Sequence, residues 1–228
     1  MRILECKKID EENYDNIKFI RIDPEDLSIT IRDIINSFSN MSWISQFDQE
    51  YARISFAYRA ESTAKYLANK IKSDSGNQLT KDTGEYVVSE LARQAIVNEL
   101  KYMDIPLAEL FKEQVSGNPG FDFYSANLDK TIIFGEAKYK SNENAYGRAM
   151  EQIDRFIREK QDISDLNDIS KFFEAESLNK AVLGEKGYAV AFAAKETSSD
   201  VLIKNIIKNN HYNNLALHKE VIYLAVNV

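Results

Sequence analysis

Two carboxylates and an amine stand in this chain at a spacing that suits chemistry on phosphate. The sequence runs Gly120-Phe121-Asp122-Phe123, then eleven residues, then Gly135-Glu136-Ala137-Lys138. Alternate side chains of a strand share a face, so an extended second segment projects Glu136 and Lys138 together. A hairpin joining the segments brings Asp122 beside them, at the end of otherwise apolar strands containing Phe121, Phe123, Ile132, Ile133 and Phe134. Burying such charges is costly unless something compensates them. A hard divalent cation does so through one or two carboxylates, with water and substrate phosphate completing its shell. A lysine at its side orients or activates the attacking water, or stabilises charge developing on phosphate. The chemistry implied is metal-dependent phosphodiester hydrolysis. The plain alternative, an ordinary cross-strand ion-pair cluster, leaves Gly120 and Gly135 beside the acids unexplained.

The elements that must position these residues follow from periodicity. Asp82-Thr83-Gly84-Glu85 places a capping residue three positions before a Glu, and Val88, Leu91, Ala92, Ala95, Ile96 and Leu100 recur at helical spacing, predicting a helix from Asp82 to about Tyr102. On a wheel of about 100° per residue, Glu85 and Glu99 fall on the stripe of Val88, Ala92, Ala95 and Ile96, whereas Glu90 lies about 200° from Val88. Glu85 is therefore the preferred acid facing the sheet, Glu99 is the reserve, and Glu90 is expected in solvent. A capping role alone would equally account for Glu85. A Gly-Asn-Pro-Gly turn (117–120), Phe121–Tyr124, a polar corner Ser125–Asp129 and Lys130–Tyr139 read as a β-hairpin. Asn144–Lys160 is a helix through Ala145, Ala149, Ile153, Phe156 and Ile157. Gly187–Ala194 is a continuous apolar run, as in a strand buried on both faces. A helix near Asp200–Asn209 and a strand at Glu220–Val226 end the chain. Upstream lie a strand at Lys18–Ile22, an amphipathic helix near Asp26–Phe38, a short strand near Arg53–Ala57 and a helix at Ala60–Lys72. The polar loop 73–78 marks the boundary between an N-terminal α/β extension, 1–79, packed on the core, and a main domain, 80–228.

In this setting GFDF…GEAK resembles the PD-(D/E)xK nuclease superfamily, whose pattern is an Asp on one strand and Glu-x-Lys on the next. The resemblance spans about Asp82–Ala194. Where that family carries Pro directly before the Asp, Pro119 here lies three positions before Asp122. The fold implied is α/β, a restriction-endonuclease-like αβββαβ core with a mixed central sheet flanked by helices. One branch also carries a Gln about 14 residues past the Lys, and Gln152 sits fourteen past Lys138. By this resemblance Asp122, Glu136 and Glu85 hold Mg²⁺, with Mn²⁺ as a substitute. Lys138 positions or activates the water, and Gln152 orients Lys138 or the water. Lys140 and Arg148, nearest the motif, are the candidates for contacts to the nucleic-acid backbone. From Arg155 onward the interleaved Glu151, Asp154 and Glu159 indicate a solvated, ion-paired face. Replacing Glu136 or Lys138 by Ala is expected to abolish cleavage and leave folding intact.

The segments TGEYVVSEL, GFDFY, IIFGEAKYK and AYGRAMEQI are further similar to the small nuclease subunits encoded beside a helicase in Hachiman-type antiphage defence. That resemblance implies a deoxyribonuclease working with a helicase subunit. A type II restriction endonuclease shares the chemistry, and a catalytically silent module binding DNA or protein is the non-enzymatic alternative. Homo-oligomerisation stays open.

Composition bounds these readings. The chain has 228 residues, 29 Lys+Arg against 36 Asp+Glu, and a net charge of −7. Apolar residues at 44% and charged residues at 29% describe a globular chain of one large or two small domains rather than a disordered one. The single Cys6 excludes an internal disulfide framework or a Cys-rich zinc site and suits a reducing, cytoplasmic setting. The N-terminus lacks the apolar stretch of a signal peptide, and no run reaches the roughly 18 apolar residues of a membrane span. His211 and His218 have no partner at ligand spacing, so packing or surface roles are expected, as packing is for Tyr86, Tyr102, Tyr124 and Tyr139. Net acidity alone argues against a nucleic-acid partner. Yet Lys81–Asp122 holds four basic against eight acidic residues, two of them site candidates, while Asp129–Lys160 holds seven against six. Bound cations offset part of that acidity. Weak intrinsic affinity for DNA is the expectation.

Overall fold

In a computed structural model that describes residues 1–9, 14–73, 79–112 and 120–228, the chain forms one mixed six-stranded sheet with helices packed on it. The strands are β1 (Arg2–Lys8), β2 (Ile17–Asp23), β3 (Phe123–Ala126), β4 (Ile132–Lys138), β5 (Gly187–Ala194) and β6 (Glu220–Asn227), in the spatial order β1-β2-β6-β5-β4-β3. β2, β6, β5 and β4 run parallel, and the outer pairs β1–β2 and β3–β4 are antiparallel. The helices are α1 (Leu27–Phe38), α2 (Glu50–Ser73), α3 (Lys81–Leu100), α4 (Ala108–Phe111), α5 (Tyr146–Arg158), α6 (Gln161–Ile169), α7 (Ala175–Val182), α8 (Ser199–Ile207) and α9 (Tyr212–Ala216). Among the described residues no helix is long and apolar enough to cross a membrane.

Each central element matches a sequence pattern. β5 is buried at all eight positions, as its unbroken apolar run requires when helices cover both faces. The hairpin corner is organised by Asn127, whose Oδ1 accepts from the Asp129 and Thr131 N–H groups, and Lys130 takes the left-handed conformation (φ 61°). Phe121 packs its ring 5.2 Å from Phe134 on β4 and 5.1 Å from Phe156 on α5, anchoring the chain directly before Asp122. The 117–119 part of the expected turn, with Pro119, lies outside the described residues, as does 74–78 of the expected boundary loop.

Several expectations need correction. The expected strand near Arg53–Ala57 is instead part of the 24-residue α2. Its buried positions, Ala52, Phe56, Ala60, Ala64, Leu67 and Ile71, keep helical spacing throughout, and that stripe outweighs the local β-like pattern. α3 is capped by Thr80, whose side chain accepts from the Thr83 N–H, two positions earlier than the expected Asp82. Between α3 and α5 the described residues form two strands where the resemblance implies three. β1, which has no apolar alternation to mark it, is a mostly exposed edge strand bearing Glu5, Lys7 and Lys8, the charged composition by which edges resist further pairing. The N-terminal segment also continues the same sheet, with Ile17–Ile22 of β2 in parallel register with Val221–Val226 of β6.

Candidate active site

Asp122 lies one residue before β3, and its position is set by the backbone. Its N–H donates to Gly135 O at 2.9 Å, and its Oδ2 accepts the Ala137 N–H at 2.7 Å. The carboxylate thus takes over the ladder bond of β4 where β3 gives out. Gly135 permits this register, because a Cβ there would stand 2.3 Å from the Phe123 ring opposite. On β4 the alternation holds. Phe134 packs toward Phe121 and Tyr188, Tyr139 packs against α3, and Glu136 and Lys138 share the Phe134 face. Lys138 Nζ donates to Glu136 Oε1 at 2.5 Å and to Ala137 O at 3.1 Å.

Glu85 reaches the same site from α3. The helix comes close because Gly84 has no side chain: a Cβ would meet the Tyr139 ring at 2.2 Å. Gly84→Ala should therefore push α3 off the end of β4 and cost about 1–3 kcal/mol. Thermal unfolding checks this, and an unchanged midpoint would refute the close packing. Glu85, Lys138, Lys140, Arg148 and Gln152 line one cleft of about 280 Å³, with Lys81, Tyr139, Glu151 and Arg155. Asp122 and Glu136 are not among its lining residues; Glu136 is buried and joins the cleft through Lys138. Arg155 is exposed, as expected of a solvated face, and also lines the cleft, so the cationic rim reaches seven residues, about two helical turns, beyond Arg148. At the rim one oxygen of Glu143 serves both Lys140 (2.6 Å) and Arg148 (3.5 Å).

Glu90 is a clear correction. Instead of facing solvent it is 2% exposed, with Oε1 accepting from Ser37, Arg93 and Gln94 and Oε2 from Arg93 Nε. The wheel assumed one buried face of α3, but α1 covers a second. Glu99 is exposed and lies near Cys6 rather than at the site. The histidines pack as expected. His211 Nδ1 lies 3.0 Å from Asp154, and His218 meets Tyr188 edge-on, where burial holds its pKa below the usual value. Tyr102, Tyr124 and Tyr139 are buried in the core or its rim, and Tyr86 is half-buried.

A fourth acid was not anticipated. Glu109 sits on the single turn of α4, and the preceding residue donates its N–H to Asp122 O at 2.9 Å. Its only sequence signal is a lone acid in an otherwise apolar run, Pro106-Leu107-Ala108-Glu109-Leu110-Phe111. A second unforeseen residue, Asp165 of α6, holds the approach to Asp122. Its Oδ2 accepts the Phe121 N–H (3.1 Å) and the Tyr124 hydroxyl (2.5 Å), and its Oδ1 accepts from Lys112 (2.8 Å) and Gln161 (3.0 Å).

The contrast between these acids is informative. Asp165 and Glu90 are buried and have partners for both oxygens. At the site, Glu85 Oε1, Glu109 Oε2 and Glu136 Oε2 are buried with no hydrogen-bond partner, and among the described residues no other carboxylate oxygen is in that state. Unpaired buried carboxylate oxygens are expensive. Burial pushes the Glu136 carboxyl well above its usual pKa, with Asp122 adding repulsion and Lys138 only partly offsetting it. Asp122 and Glu85 are raised for the same first reason, and Glu109 is pushed up to about 8 by burial and by Asp122. Burial alone would lower the Lys138 ammonium, but Glu136, Asp122 and Glu85 outweigh it and hold that pKa above its usual value.

Such a donor set fits a divalent cation: hard oxygens, excess negative charge and lone pairs facing nothing. Among the described residues no three Asp, Glu, His or Cys side chains stand together as a group that could hold a metal ion, so a cation here would rest on one or two carboxylates and its own waters, which is what Mg²⁺ needs. Protons and cation compete for these groups. Folded-state carboxyls raised above their unfolded values lose stability as pH climbs from the ordinary carboxylate range through their folded pKa. The metal-free protein should therefore pay a growing penalty at this site from about pH 4.5 to about 8, the Glu109 value. The rise in unfolding temperature on adding Mg²⁺ should grow across that interval, and a pH-independent rise would contradict it. In comparisons with family models, curated proteins and solved structures, nothing matches this chain.

Proposed function

We propose that the chain is a divalent-cation-dependent nuclease hydrolysing phosphodiester bonds in DNA. The observation that carries this reading is the set of unpartnered, buried carboxylate oxygens around a lysine that is held cationic. A purely structural ion-pair cluster would satisfy those oxygens, as this protein does at Glu90 and Asp165.

A bound Mg²⁺ would polarise the phosphate and lower the pKa of a coordinated water. Asp122 and Glu136 would hold it, with Glu85 completing the shell from α3. Lys138, protonated at neutral pH, stabilises negative charge developing on the phosphoryl oxygens and orients the water instead of abstracting its proton. Gln152, which lines the cleft, would present its amide to the water or to a phosphate oxygen. Lys140 and Arg148 exchange Glu143 for backbone phosphate when the substrate enters. That exchange leaves few surplus cations, which agrees with weak intrinsic affinity and with the helicase partner implied by the resemblance. The restriction-endonuclease-like core and the antiphage role belong to the same proposal.

The test is incubation with Mg²⁺ or Mn²⁺ and linear, circular or single-stranded DNA, or RNA, with and without a helicase of the kind the resemblance implies. Cation-dependent DNA cleavage is expected. Discrete plasmid fragments produced without a partner would point to the restriction-enzyme reading, and RNA-only cleavage would overturn the choice of substrate. No cleavage under any of these conditions would leave the silent binding module.

A further inference from the structure

Glu109 lies outside the Asp…Glu-x-Lys motif, yet the fold delivers it to the same place. The backbone bond from Ala108 N–H to Asp122 O, 2.9 Å long, fixes α4 against the residue that begins β3. From there the Glu109 carboxylate stands in the fields of Asp122 and Glu85, and both repel it. Its Oε2 is buried and accepts no hydrogen bond. An independent feature points to a ligand here. Glu136 is 1% exposed and also leaves Oε2 unpartnered, although Lys138 stands 2.5 Å from its other oxygen. Lys138, Lys112 and Lys81 all act on these acids, but Lys112 is already bonded to Asp165 and Tyr124, and among the described residues no cation bonds Glu85 Oε1, Glu109 Oε2 or Glu136 Oε2; a divalent cation with its waters supplies the missing bonding directions.

We propose that Glu109 is a further ligand of the cation at Asp122, bound directly or through one of the cation's waters. The inference rests on the cation-site reading above and adds a residue on α4 that the motif does not contain.

The probe is Mn²⁺ alone, titrated calorimetrically into wild type, Glu109→Gln, Glu109→Asp and Asp122→Asn, with no DNA present. Glu109→Gln keeps the shape and removes the charge, and it should weaken Mn²⁺ binding at least about tenfold, the scale seen for groups supporting a metal shell. Glu109→Asp keeps the charge but retracts it by one methylene, so its binding should fall between those of Gln and wild type. Unchanged affinity in both Glu109 variants, with a loss in Asp122→Asn, would overturn the role of Glu109 and leave the nuclease reading intact. Failure of wild type to bind Mn²⁺ would overturn both.

Discussion

Glu136→Gln should lower cation-dependent DNA cleavage by at least about 1,000-fold while the unfolding temperature holds. The Gln side chain keeps the volume, and its carbonyl oxygen still accepts from Lys138 Nζ, so the packing around β4 is retained. What it removes is the charge on an oxygen that finds no protein partner in the folded chain. A carboxylate kept for structure alone would show the opposite pattern, with stability reduced and chemistry unaffected. Wild-type cleavage by Glu136→Gln, measured at saturating Mg²⁺ on linear duplex, would sink the assignment. Lys138→Ala is a poorer probe than the sequence suggests. It leaves Glu136 buried beside Asp122 with no cation, and breaking a buried pair from one side is strongly destabilising. Loss of activity in that variant would therefore mix chemistry with unfolding, and its unfolding temperature should fall below that of wild type.

The parts of the site that were legible share one property: each depends on a single local period. Strand alternation places Glu136 and Lys138 on one face whatever lies around them, and the hairpin corner at Ser125–Asp129 carries Asp122 back to β4. The helix spacing that selects Glu85 is complemented by Gly84, which lets α3 approach Tyr139, a contact between distant segments that periodicity does not show. Gln152 is different: only the family resemblance, through its distance from Lys138, singled it out, and α5 places it on the same cleft.

The illegible parts depend on contacts between distant segments. Glu90 was assigned to solvent because a wheel records one buried stripe, whereas Ser37 of α1 closes the other side of α3. Glu109 occupies four helical residues with no period to detect, and only the bond between its neighbour and Asp122 brings it into the site. Asp165 came from a polar stretch with no evident organisation, yet it ties Lys112, Phe121 and Tyr124 together around the approach to Asp122. In each case the missing information was which surface a second element would cover.

Two acids of α3, Glu90 buried and Glu85 half-buried, should consequently respond to mutation in opposite ways, with the largest stability effect falling where no chemistry is expected. Arg93→Ala leaves Glu90 buried with its guanidinium partner gone from both oxygens. Hydrogen bonds from Ser37 and Gln94 remain but carry no charge, so the uncompensated carboxylate should cost about 3–5 kcal/mol. In a chain of this length that corresponds to a fall of roughly 6–20 °C in unfolding temperature. Asp104, the other carboxylate on Arg93, is largely solvated and adds little to the cost. Glu90→Gln, which keeps Ser37 and Arg93 as donors to its amide oxygen, should be milder and should cleave DNA at the wild-type rate per folded molecule. Glu85→Gln should reverse the pattern, holding the unfolding temperature and losing cleavage, since Glu85 Oε1 has no protein partner to forfeit. Thermal unfolding and cleavage rates on the three variants decide the matter. If Glu90→Gln lost activity while folded and Glu85→Gln kept it, the helical acid of the site would be Glu90, and the covering of that face by α1 would have to open for catalysis.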